Sequence, residues 1–217
     1  MKDYIFFDLD GTLTDSQEGI LNSLRISLAL FGINLTDDEM RVFIGPPLKE
    51  SFSKTMRFSP EQTEKAVAAF HEYYESKGLF ENRVYDGIPA VLELLKNAGK
   101  HLAVATSKPE ILAVRILEHF ELAHYFDFIC GSNIDETRSD KAEVIAYTMQ
   151  KCGLTKKDAD RIIMTGDRKN DIDGAHKNGI QAAAVLYGYG NQEEFLNAGA
   201  DYIIKTAEEL GTFLKNS

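Results

Sequence analysis

The sequence predicts an α/β fold, a doubly wound parallel sheet interrupted by an all-helical insertion, and three observations carry this. The run Tyr4-Ile5-Phe6-Phe7 is continuously apolar and β-favouring, as a strand buried on both faces reads. From Arg83 onward, short apolar runs alternate with stretches of helical spacing, the pattern of a parallel sheet flanked by helices. Between about 15 and 82 the spacing is helical throughout and no stretch reads as a strand. The core is therefore expected over 1–14 and 83–217, and the helical insertion over 15–82.

The first strand ends in Asp8-Leu9-Asp10-Gly11-Thr12. Residues two apart on a strand project the same way, so Asp8 and Asp10 face one space. Gly11 lets the chain leave sharply. A lone Asp-Gly would be turn chemistry, but paired carboxylates repel and call for a cation nearby. In the insertion, Asp15 and Glu18 read as a helix start, Ile20, Leu21, Leu24, Leu28 and Phe31 follow helical spacing, and Gly32 ends the helix. Thr36 to Glu39 is a capping box opening a short helix. Gly45-Pro46-Pro47 breaks it, and 48–56 makes another turn or two. Ser59-Pro60-Glu61-Gln62 starts a helix that runs to about Lys77 and stops at Gly78.

In the core, helices are expected near 88–97, 110–119, 141–152, 172–178, 191–197 and 207–215. Strands are expected near 101–106, 126–130, 161–165, 181–186 and 201–204. Ligands of such sheets bind at the carboxyl ends of the strands, so polar residues there are the candidates. Thr106 stands where a phosphate-binding hydroxyl is wanted. Ser107 and Lys108, taken alone, read as helix capping before Pro109. Lys141 opens a helix, where a cation is slightly disfavoured and so suggests a function. Gly166-Asp167-Arg168-Lys169-Asn170-Asp171 places two carboxylates four apart, on one face of a helical turn.

Bulk composition limits the partners. The 217 residues carry 24 Lys and Arg against 34 Asp and Glu, a formal charge of −10, which argues against long nucleic acid. A small anionic substrate stays open, because a metal and a few lysines reverse the sign locally. Cys130 and Cys152 form no metal pattern and are expected as free thiols. No run is long enough to span a bilayer, and Asp3, Asp8 and Asp10 interrupt any leader-like pattern, so a cytoplasmic protein with no membrane partner is expected. Oligomeric state is not readable.

The order Asp8-x-Asp10-Gly11-Thr12, then Thr106, then Lys141, then Gly166-Asp167-x-x-x-Asp171 resembles the four motifs of the haloacid dehalogenase (HAD) superfamily of phosphohydrolases. The resemblance implies a Rossmann-like core with a helical C1-type cap domain as the insertion. Phe43-Ile44-Gly45-Pro46-Pro47-Leu48, Gly188-Tyr189-Gly190 and Asn197-Ala198-Gly199-Ala200-Asp201-Tyr202 are similar to the phosphoglycolate phosphatase-like branch. Departures fall at Thr14, Asp86, Ser107 and Arg168. By residue chemistry and this resemblance, Asp8 is the nucleophile, forming an aspartyl-phosphate, and Asp10 the general acid and then base. Mg²⁺ is the expected cofactor, held by hard oxygen ligands: Asp8, the Asp10 carbonyl and Asp167, with Asp171 in support. Gly11, Thr12, Thr106, Ser107 and Lys141 are expected at the phosphoryl oxygens. Gly45, Pro46, Lys49 and Arg41 in the insertion are expected to choose the small phosphorylated metabolite. A 5′-nucleotidase, a sugar-phosphate phosphatase and a phosphomutase share this core. A phospho-receiver signalling module also combines acidic residues, Thr or Ser and Lys on a doubly wound sheet, but it is shorter and has no such insertion.

Overall fold

The structure is a computed structural model, and it describes residues 2–44, 48–133 and 137–217. Two compact units divide the chain: Met1–Asp15 with Val84–Ser217, and Ser16–Arg83.

In the first unit, β1 (Tyr4–Phe7) forms from the apolar opening run, with Ile5, Phe6 and Phe7 fully buried. Chain order continues with β2 (Thr14–Asp15), the second unit, then β3 (Arg83–Val84) and α5 (Ile88–Asn97), the helices before α5 being numbered below. There follow β4 (His101–Pro109), α6 (Glu110–His119), β5 (Phe128–Ser132), α7 (Lys141–Lys151), β6 (Ile162–Gly166) and α8 (Lys169–Lys177). The chain ends with β7 (Gln181–Val185), α9 (Gln192–Ala198), β8 (Tyr202–Ile204) and α10 (Ala207–Asn216). Six strands form one sheet in the order β5-β4-β1-β6-β7-β8, and its pairs are parallel. The chain builds outward from β1 on one side, then returns to build on the other. The carboxyl end of β1 is therefore the point where strand order reverses, the place where such sheets open a crevice. Register pairs Phe7 with Val104 on β4 and with Thr165 on β6, so the next residue, Asp8, emerges level with Ala105 and Gly166. One face of the sheet is sealed by Phe6, Ala103 and Met164 packing with Val144, Ile145 and Ile172 of α7 and α8.

The second unit contains α1 (Gln17–Ala29), α2 (Asp37–Met40), α3 (Leu48–Glu50) and α4 (Pro60–Tyr73). Both capping boxes form as the sequence requires: Thr36 with Glu39, and Ser59 with Gln62 behind Pro60. Gly19 is in α1 because its backbone meets the carbonyl of Gly78; a Cβ there would come within 1.9 Å of that oxygen. Ser27 ties α1 to α4 by donating to the Ala66 carbonyl at 2.7 Å. Phe31, Phe43, Phe52 and Phe58 form a ring cluster among these short helices, with Phe52 stacked on Phe58 and the other two rings tilted against them.

Several local expectations are corrected. Asp15 does not cap α1; Ser16 holds that position, and Asp15 lies in β2 and accepts a hydrogen bond from Tyr189 Oη at 3.2 Å. The pairing of β2 with β3 has no apolar signature at two residues each. Single π-helical turns, Ser51–Thr55 and Tyr74–Gly78, extend α3 and α4. Asp127 accepts from Lys96 Nζ at 2.9 Å and lies near His101 Nδ1 at 3.1 Å, and the strand begins only after it, at Phe128. No helix among the described residues is long and apolar enough to cross a membrane.

The largest departure is β4, which runs past Thr106 to Pro109 and changes register with β5 between Ala105 and Pro109. This bulge depends on Gly131 of β5, where a Cβ would lie 2.4 Å from the Lys108 carbonyl and 2.7 Å from Glu110 N. Both neighbours are backbone, so nothing flexible can yield. Gly131→Ala is expected to cost about 1–3 kcal/mol, as overpacking does, seen as a lower midpoint in urea unfolding. An unchanged midpoint would mean that the two strands part freely here.

Candidate active site

Asp8 leaves β1 with its Oδ1 held by two donors, Leu9 N at 2.8 Å and Lys141 Nζ at 2.9 Å. Lys141 is the first residue of α7, behind an Asp140 cap that accepts from Ala142 N. Its ammonium also meets Asp171 Oδ1 at 2.8 Å and donates to the Ala105 carbonyl at 3.1 Å. The ammonium thus lies beside three oxygens, pairing with two carboxylates and donating a hydrogen bond to the Ala105 carbonyl. Gly174 of α8 leaves room for the lysine stem, since a Cβ there would lie 2.9 Å from Lys141 Cγ. Burial alone would push this ammonium's pKa down. Asp171 and Asp8 outweigh it, and the pKa stands above the ordinary lysine value.

The pair Asp167 and Asp171 does not share a helical face. Asp167 precedes the helix, and Asp171 sits in the first turn of α8. The chain turns between them because Asp171 Oδ2 accepts from Arg168 N at 3.1 Å. Gly166 makes the return possible: a Cβ there would lie 2.2 Å from Asp171 Cγ. The two carboxylates still converge, and Asp8, Asp167 and Asp171 each offer an oxygen within 4.8 Å of the others.

Asp167 is fully buried. Thr12 Oγ1 donates to its Oδ1 at 3.1 Å and Tyr189 N to its Oδ2 at 2.8 Å. Three glycines crowd around it. A Cβ on Gly11 would sit 2.2 Å from Asp167 Oδ2, one on Gly188 2.4 Å from Asp167 Cβ, and one on Gly190 2.2 Å from the Asp167 carbonyl. Gly11 also needs its φ of +83°. Burial raises the Asp167 pKa well above the usual carboxylate range, Asp171 and Asp8 add to it, and the two hydrogen bonds only partly oppose it. Asp8 is pushed up to about 6, first by burial, against the pull of Lys141.

Asp10 is held separately, by Lys108 Nζ at 2.6 Å from its Oδ2. Thr106 is buried within β4, where the register with β5 breaks, and its Oγ1 accepts from Lys108 N at 3.3 Å. Ser107 is half-buried beside it. Thr12 and Gly11, expected at the phosphoryl group, are otherwise engaged: the Thr12 hydroxyl serves Asp167, and Gly11 N donates to the Thr14 carbonyl at 2.8 Å. In the other unit, Lys49 is exposed, and Arg41 Nε lies 3.5 Å from Asp38 Oδ1. Gly45 and Pro46 lie outside the described residues.

Sequence reasoning missed the role of Lys108, which looked like a helix-capping residue. It also missed Glu194 of α9, whose Oε1 accepts from Arg168 Nε at 3.0 Å and from Lys169 N at 2.7 Å. No local signal marks either contact, because each bridges distant segments. A cavity of about 660 Å³ lies elsewhere, lined by Lys2, Tyr202 and Phe213 among others, and holds none of the site carboxylates.

The family model for haloacid dehalogenase-like hydrolases matches residues 5–185. A "5′-nucleotidase" of Pseudomonas aeruginosa is 44% identical over 88% of this chain and 85% of its own. "Tyrosine-protein kinase PtkA" of Mycobacterium tuberculosis is 38% identical over 96% of this chain and 67% of its own. Phosphoglycolate phosphatases are also among the relatives. A crystal structure of a predicted phosphatase from Clostridium acetobutylicum superposes with a TM-score of 0.93 at 45% identity, covering 100% of both chains.

The carboxylate cluster carries a repulsion that one substitution relieves. Asn at 167 can accept from Tyr189 N and donate to Thr12 Oγ1, so both contacts survive without the charge. In metal-free buffer at neutral pH, Asp167→Asn is expected to raise Tm by about 2–4 °C for each kcal/mol of repulsion removed. A lower Tm would mean that the cluster carries no net penalty.

Proposed function

The chain belongs to the haloacid dehalogenase-like hydrolase family, as a phosphatase of that family, and on that premise we propose that it cleaves small phosphate monoesters through an aspartyl-phosphate on Asp8. The observation that carries this reading is the separate anchoring of the two carboxylates after β1. Lys141 lies 2.9 Å from Asp8 and Lys108 2.6 Å from Asp10. Phosphoryl transfer asks mainly for positioning and charge stabilisation. Asp8, oriented by Leu9 N and Lys141, attacks phosphorus. Asp10 gives a proton to the departing oxygen and then takes one from the hydrolytic water. Lys141 offsets charge on the phosphoryl oxygens, and Thr106 binds one of them. Asp171 holds Lys141 in place, since its oxygens face Lys141 and Arg168 N.

A divalent cation fits the same residues. Three carboxylates facing one ammonium leave two negative charges, and the donors are all hard oxygens, which suits Mg²⁺. Asp8, Asp167 and the Asp10 carbonyl would hold it, with Asp171 behind. When bound, Mg²⁺ supplies neutralisation of the phosphoryl oxygens.

The 44% identity to a protein named 5′-nucleotidase puts nucleoside 5′-monophosphates first among substrates. Phosphoglycolate, suggested by the motifs around Gly45-Pro46 and Gly188-Tyr189-Gly190, comes second. A phosphomutase would be told apart by its product, an isomer rather than free phosphate. The core groups act on the phosphoryl group that every monoester shares, so specificity is assigned to the 15–82 insertion.

Three measurements test this reading. Asp8→Asn is expected to abolish phosphate release from p-nitrophenyl phosphate in a folded protein; near wild-type turnover would overturn the mechanism. Mg²⁺ is expected to raise the Tm of the wild type by mass action and to leave that of Asp167→Ala unmoved; equal shifts would place the ion elsewhere. Lys49→Ala or Arg41→Ala is expected to lower kcat/KM for the preferred metabolite by about 1–3 kcal/mol and to spare p-nitrophenyl phosphate. Equal losses on both would assign these residues to folding instead.

A further inference from the structure

Each aspartate at the end of β1 has its own lysine, and the second pairing is built into the backbone. Lys108 and Asp10 are 98 residues apart in sequence, and their side chains are only 7% and 22% exposed. β4 reaches this contact by breaking register with β5 between Ala105 and Pro109, and a bulge of this kind re-aims a side chain. The bulge is pinned on both sides: Thr106 Oγ1 accepts from Lys108 N at 3.3 Å, and Gly131 leaves the space that the Lys108 carbonyl occupies. On Asp10 the ammonium takes Oδ2 at 2.6 Å, whereas Oδ1 is buried and has no hydrogen-bond partner among the described residues. Burying a carboxylate oxygen unpaired is costly, so this atom is kept for something that arrives.

We propose that Lys108 is a positioning residue, clamping Asp10 by Oδ2 so that Oδ1 meets the bridging oxygen of a substrate with a poor, alkoxide-type leaving group. The inference rests on the hydrolase reading above. In the first half-reaction the bond from phosphorus to Asp8 forms while the bond from phosphorus to the bridging oxygen breaks, and the proton on Asp10 Oδ1 passes to that departing oxygen. In the second, water gives a proton to Oδ1 as its oxygen attacks phosphorus, and Asp8 is released as a carboxylate. A carboxyl free to swivel would meet the bridging oxygen only part of the time. Lys108 removes that freedom without itself touching the substrate.

The test separates leaving groups. Nitrophenolate departs without a proton, whereas the alkoxide of an alkyl phosphate needs one. For Lys108→Met, kcat on an alkyl phosphate is expected to fall about 10²-fold, the scale of general acid catalysis, with little change in KM and a clearly smaller loss on p-nitrophenyl phosphate. In an Asp10→Asn background the same substitution is expected to leave the alkyl-to-aryl ratio where Asp10→Asn alone put it, since residues acting as one unit are not additive. Lys108→Gln is read in the same way if the Met variant does not fold. Equal losses on the two esters, a rise in KM with kcat preserved, or a full additional loss in the Asp10→Asn background would each overturn the assignment. A wild-type protein that turns over neither ester would sink the hydrolase reading and this one with it, whereas equal losses sink this one alone.

Discussion

The interaction on which the site depends is the three-way grip of Lys141. Its ammonium meets Asp8, Asp171 and the Ala105 carbonyl at once, joining the carboxyl end of β1 and the start of the β4 bulge to the first turn of α8. Like charges gathered in a buried space repel strongly, because low dielectric strengthens every Coulomb term. One buried lysine cannot neutralise Asp8, Asp167 and Asp171 together; burial first, and the neighbouring carboxylates after it, raise the pKa values of Asp8 and Asp167. The fold holds this unfavourable arrangement with the apolar sheet beneath it, where Phe6, Ala103 and Met164 are fully or almost fully buried. Stability of the core is thus set against the repulsion within the carboxylate cluster.

The glycines near the site answer to the carboxylates more than to turns. Gly166 clears space for Asp171, and Gly11, Gly188 and Gly190 clear space for Asp167 from three directions. A side chain at any of them would meet backbone or a carboxyl group that the site requires. The short glycine-containing runs of the sequence therefore acquire a meaning that their turn propensity does not convey.

What was legible in the sequence followed from local rules. The apolar run 4–7 could only be a buried strand, and it placed Asp8 and Asp10. The boxes at Thr36 and Ser59 are closed within four residues, so their geometry is written locally. The helix Glu110–His119 was bounded by Pro109 and by a clear apolar spacing. What was not legible depended on distant partners. Asp15 looked like a cap because Glu18 follows three residues later, but Tyr189 claims it. Lys108 looked like helix punctuation because its partner lies 98 residues away. The convergence of Asp167 and Asp171 was readable from their spacing, but the means was not, since it uses Gly166 and the Arg168 amide in place of a shared helical face.

The loop after β7 draws these threads together. Tyr187 donates to the Thr12 carbonyl at 3.1 Å, Tyr189 N to Asp167 at 2.8 Å, and Tyr189 Oη to Asp15 at 3.2 Å. Tyr187 is further braced by Tyr85, whose ring it meets edge-on at 5.1 Å. Two residues of this loop, Tyr187 and Tyr189, thus touch the segment that follows Asp8 and Asp10, the last residue before the insertion, and the most deeply buried acid of the site. Thr12 closes the circuit, since its hydroxyl serves Asp167 while its carbonyl is held by Tyr187. Any shift of residues 12–15 therefore acts directly on the backbone that donates to Asp167. The point where the chain departs into its helical insertion and the point where the carboxylate cluster is fixed are one mechanical unit of the core.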